Sequence, residues 1–115
     1  MSIDFERWKL LEFFDEEKFL ETEGQRIDYI THTNDNCLFT LYIAPYDDVA
    51  IVTLTRQPQT GTLTNIIFEV GFKNVCKIDC TQTELLIYKK MPQNWYDTAD
   101  FTITVKPNVR LLLTL

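Results

Sequence analysis

The chain holds three glycines, four prolines, one histidine and three cysteines among 115 residues, and each scarcity removes a class of function. Three isolated glycines cannot build the Gly-rich turn whose backbone N–H groups wrap a phosphate, so the nucleotide-binding loops are excluded. A single histidine (His32) and a single serine (Ser2) leave no G-x-S-x-G elbow and no Ser-His-Asp or Cys-His set. No catalytic residue is assigned, and an enzyme is not expected.

Basic runs are equally scarce. The largest is Lys89-Lys90, whereas a phosphate backbone calls for clustered Lys and Arg. Direct nucleic-acid binding is therefore not expected. No apolar run approaches the ~20 residues of a membrane helix, and Asp4 and Glu6 interrupt the start of the chain, so neither a membrane span nor a secretory leader is expected. An odd cysteine count in a domain of this size, which can bury a core of its own, points to a reducing, cytoplasmic setting without disulfides.

What the chain has is an uneven charge. The net charge is −6. Residues 1–57 carry 12 acids against 5 bases, and residues 58–115 carry 5 acids against 6 bases. The acids concentrate in EFFDEEKFLETE (12–23), where Glu12, Asp15, Glu16, Glu17, Glu21 and Glu23 meet one Lys18 and interleave with Phe13, Phe14, Phe19 and Leu20. An acidic surface with aromatic anchors steers a basic protein partner. A second contact candidate is MPQNWYDTAD (91–100), whose Trp95 and Tyr96 are residue types enriched at interface hot spots.

The apolar period changes once. Over the first 24 residues Phe5, Trp8, Leu11 and the pair Leu10/Phe14 recur at helical spacing. Asp4 reads as an N-cap, with Ile3 and Trp8 placed for a hydrophobic staple. The spacing predicts either one long helix or two, the second capped by Asp15 and running 16–21. From residue 25 the period is two, with strands expected at 27–32, 37–44, 49–55, 66–72, 75–80, 84–90, 101–105 and 109–115. No connection between them is long enough for a helical crossover, so pairing should be antiparallel.

The expected fold is one α+β domain over 1–115: an N-terminal helix or helix pair (1–24) packed on a bent, mainly antiparallel sheet of about seven strands (25–115). A β-sandwich or open barrel is the alternative. Sheet edges leave room for a homodimer, and Leu111, Leu112 and Leu113 put apolar side chains on both faces of the last strand.

VCKIDC (75–80) has the look of a metal or redox pair. Its alternation is that of a strand, however, and four residues along a strand span roughly 13 Å. Neither a disulfide nor a shared zinc can close that distance. Cys76, Ile78 and Cys80 are expected to face inward, and no cofactor or metal is assigned. The expected function is a non-catalytic acidic interaction module, of the inhibitor or immunity type that neutralises a basic partner. The alternative is a small-ligand binder built on the bent sheet.

Overall fold

The computed structural model describes residues 3–20, 26–33, 36–56, 65–89, 101–106 and 109–113. Within them the chain forms one helix, α1 (Arg7–Phe13), and nine strands: β1 (Glu16–Leu20), β2 (Arg26–His32), β3 (Cys37–Ala44), β4 (Val49–Arg56), β5 (Asn65–Phe72), β6 (Val75–Cys80), β7 (Glu84–Lys89), β8 (Phe101–Thr104) and β9 (Arg110–Leu113). The strands make two antiparallel sheets, one of five in the order β1-β2-β3-β4-β5 and one of four in the order β6-β7-β8-β9. The class is α+β. Within each sheet every pairing joins strands that are neighbours in sequence.

Three turns rest on residues that tolerate a left-handed backbone. Asn36, Asp48 and Asn74 all have positive φ, a region that Asn and Asp enter more readily than other side chains. PYDD is a single 3-10 turn over Pro45–Asp47 closed by Asp48, whose carbonyl accepts the Val75 N–H at 2.9 Å and ties β6 to the β3–β4 turn. Asn74 lies in the two-residue link that carries the chain from β5 into the second sheet.

The two sheets share one core. Tyr29, Phe39, Leu41, Ile43, Val52 and Phe72 come from the first, and Val75, Ile78, Leu85, Ile87 and Ile103 from the second. Phe72 and Phe101 join them directly, ring to ring at 4.4 Å. Leu10, Phe13 and Phe14 complete the core from the helix side, where α1 packs on both β6 and β2. Seven residues are too few to hold a helix in isolation, so α1 exists because this face is buried.

Four expectations need correction. The acidic stretch is not helical throughout: α1 ends at Phe13 and 16–20 is strand β1, paired with β2 in the register Glu17↔Tyr29 and Phe19↔Ile27. A second helix at 16–21 is therefore ruled out, and the physical reason is that the exposed edge of β2 offers those residues a full hydrogen-bond ladder. Asp4 is not the N-cap. Glu6 holds that position without a side-chain cap, while the Asp4 backbone exchanges hydrogen bonds with Cys76 and Ile78 along the edge of β6. Trp8 is not a staple, since more than half of it is exposed.

VCKIDC is a strand, but its register shifts at Cys76, where Val75 and Lys77 face successive partners Lys89 and Tyr88. The bulge hands the core position to Val75 and leaves Cys76 half-buried, with Ile78 inward as expected. All three cysteines are thiols. The last strand is an edge of the four-stranded sheet.

Phe14 sits where helix and sheet meet, 5.7 Å from the Tyr29 ring and stacked on Phe39 at 6.2 Å. Replacing it by alanine should cost about 3–5 kcal/mol in urea denaturation. Tyr46→Ala, at an exposed turn, should stay within about 0.5 kcal/mol. Equal effects would mean that Phe14 is not part of the core.

Candidate functional site

The structure separates the expected contact residues. Glu12 lies exposed on α1, Asp15 is at the α1–β1 junction, and Glu16 and Glu17 open β1. Glu21, Trp95 and Tyr96 lie outside the described residues. The four described acids do not act as one patch, because two of them are already spoken for.

Glu17 faces inward. Its side chain is only 7% exposed and takes Arg7 as a bidentate partner, with Nη2 to Oε1 at 2.7 Å. The Tyr29 hydroxyl donates to its other oxygen at 2.6 Å. Hydrogen bonding from Arg7, helped by Tyr29, holds the Glu17 carboxyl below the usual carboxylate range although burial works against it. Burial, together with the bond to Glu17, pushes the Tyr29 phenol well above its ordinary value. The hydroxyl therefore stays a donor.

Asp15 is a local staple between β1 and β2. Its Oδ2 accepts from the His32 N–H at 3.0 Å and from the Thr31 hydroxyl at 3.1 Å. The His32 N–H is the main reason its carboxyl is held below the ordinary value. His32 Nδ1 lies 3.5 Å from the same oxygen, and both side chains are about half exposed. This arrangement anchors β1 to β2.

Removing those two leaves Glu12 and Glu16 as exposed acids, on elements that also carry three exposed apolar side chains. Trp8 is 57% exposed, Leu11 44% and Phe19 54%. Arg7 lies 5.1 Å above the Phe19 ring, and Arg7, Trp8, Leu11 and Glu12 share the outer face of α1 at helical spacing. Lone exposed apolar residues are ordinary, but three on adjoining elements form a patch. Sequence reasoning missed Trp8 and Leu11 as surface residues because their spacing matched a buried stripe.

Beside α1 runs a cleft of about 390 Å³ lined by Trp8, Lys9, Glu12, Phe13, Cys80, Thr81, Gln82 and Lys106. Lys9 Nζ reaches Asp79 at 3.1 Å. Lys106 Nζ donates to the Phe13 carbonyl at 2.7 Å and lies 4.6 Å above the Phe13 ring, capping the end of the helix. Cys80 Sγ points at the Lys9 carbonyl at 3.5 Å, and burial, reinforced by Asp79, pushes its thiol up, away from thiolate reactivity. Among the described residues no group of three or more His, Cys, Asp or Glu could hold a metal ion, and no helix is long and apolar enough to cross a membrane.

The ligand-binder alternative would line its bent sheet with Phe39, Tyr42, Phe68, Phe72 and Tyr88, and Phe68 packs against the core. Phe39 and Phe72 are buried in the core, Arg26 covers Tyr42 at 4.2 Å and Lys77 covers Tyr88 at 5.2 Å. Comparison with family models, with curated proteins and with solved structures gave no significant match.

Because the Glu17 pKa is lower folded than unfolded, its stabilising effect is complete above its ordinary value of 4.5 and is lost as pH falls. Arg7 is the larger cause of the shift, but it is mostly exposed and screened, which keeps the energetic effect modest. Glu17→Gln should lose about 1–2 kcal/mol at neutral pH. It should also flatten the decline in stability below pH 4.5, as followed by urea denaturation at a series of pH values. An unchanged acid slope would show that Glu17 is not held in this way.

Proposed function

We propose that the protein is a non-catalytic interaction module that binds a basic protein partner through the outer face of α1 and the adjoining strand β1, in the manner of an inhibitor or neutralising partner. The observation that carries this reading is the exposure of Trp8, Leu11 and Phe19 on α1 and β1, with Glu12 and Glu16 exposed on the same two elements. Apolar anchors supply affinity when a partner excludes water from them, while these acids and the acid-rich first half of the chain favour encounter with a basic surface. Arg7, drawn back onto Glu17 and Phe19, does not oppose that field. The partner surface that fits is apolar at its centre and rimmed by Lys or Arg.

The test begins with the native partner recovered on immobilised protein, followed by titration calorimetry on the purified pair. Trp8→Ala should weaken the complex at least about tenfold, an energetic effect typical of an interface anchor. Glu12→Lys with Glu16→Lys should lower the association rate and abolish its salt dependence. Ile66→Ala, on the opposite edge of the same sheet, should change nothing. Binding untouched by Trp8→Ala and by the charge reversals would overturn the reading.

A further inference from the structure

The cleft beside α1 holds two opposite charges that the protein does not pair with each other. Lys106 is fixed by the Phe13 carbonyl and ring, yet among the described residues no carboxylate lies within salt-bridge distance of it. Glu12, one turn along the same cleft wall from Trp8, likewise has no cationic partner among them. Glu12 and Lys106 both line the same cleft. Lys9, the other ammonium of the cleft, is committed to Asp79.

The rest of the lining completes a pocket for a small molecule. Trp8 presents an exposed indole, and the Phe13 ring carries the Lys106 stem. The opposite wall is rigid, because the Thr81 hydroxyl accepts the Thr83 and Glu84 N–H groups in the β6–β7 turn, and Lys106 and Val105 bond back to the Thr83 carbonyl. The volume, about 390 Å³, lies in the range of small-ligand sites.

We infer that this cleft is a binding site for a free aromatic amino acid, with the ligand carboxylate on Lys106, its ammonium on Glu12 and its ring on Trp8. A simple anion would meet the Glu12 charge and a simple amine the Lys106 charge, so only a ligand carrying both signs satisfies the two together. The surface proposed for the protein partner shares Trp8 and Glu12 with this site, while Leu11, Phe19 and Glu16 belong to it alone and Lys106 to the cleft alone, so the two readings are tested separately.

The test is titration of the full chain with L-phenylalanine, 3-phenylpropionate and phenethylamine, followed by calorimetry and by amide and indole NMR shifts. L-phenylalanine should bind and shift Trp8, Thr81 and Gln82, with each singly charged analogue about tenfold weaker, the loss of one charge-assisted contact. Lys106→Gln keeps a donor for the Phe13 carbonyl and should weaken L-phenylalanine and 3-phenylpropionate while sparing phenethylamine. Glu12→Gln, on an exposed position, should do the reverse for the two analogues. Absence of shifts around the cleft at saturating L-phenylalanine, or losses that ignore which charge the ligand carries, would overturn the proposal.

Discussion

The structure depends on a seven-residue helix wedged where two sheets would otherwise part. The sheets are linked in sequence by two residues between β5 and β6, and α1 rests on β6 of one and β2 of the other. Leu10, Phe13 and Phe14 are almost fully buried there, so the helix contributes core and not merely cover. A helix this short has little stability of its own, and three polar ties fix it: Arg7 to Glu17, Lys9 to Asp79 and Lys106 to the Phe13 carbonyl. Each reaches a different element, β1, β6 and the segment after β8.

That wedge also decides what the surface can do. Burying Leu10 and Phe13 turns Trp8, Leu11 and Glu12 outward, and the tie from Lys106 opens a cleft along the helix flank. Glu17, drawn under Arg7 and Tyr29, is a structural carboxylate. The acidic character of the region is thus smaller than a count of its acids suggests, and what remains exposed is Trp8, Leu11 and Phe19 with Glu12 and Glu16.

Eight of the nine strands were legible as alternation, since burial on one face imposes period two on residues such as Phe39, Leu41 and Ile43. β1 was not, because the side chain it tucks inward is the charged Glu17, while Phe19 two residues on is 54% exposed. A charged residue that is satisfied by tertiary partners leaves no apolar signature, and EEKFL then reads as a continuation of the helix. Asp4 misled for a related reason: an acid ahead of a helical pattern resembles a cap, while here it is the backbone that is used, along the edge of β6. In VCKIDC the strand was readable and the bulge at Cys76 was not, since one extra residue in a ladder depends on the partner strand. Of the candidate contact residues, the chemistry of Glu12 and Glu16 was readable. The exposure of Trp8 and Leu11 became visible only once the helix was known to end at Phe13.

The central claim is that α1 holds both sheets together. Native-state hydrogen exchange on Leu10→Ala tests it most directly, because Leu10 is buried in the wedge and makes none of the polar ties. Protection should fall by a similar factor in β2–β4 and in β6–β7, the signature of one cooperative unit. Loss of protection confined to α1, with both sheets as protected as before, would contradict it.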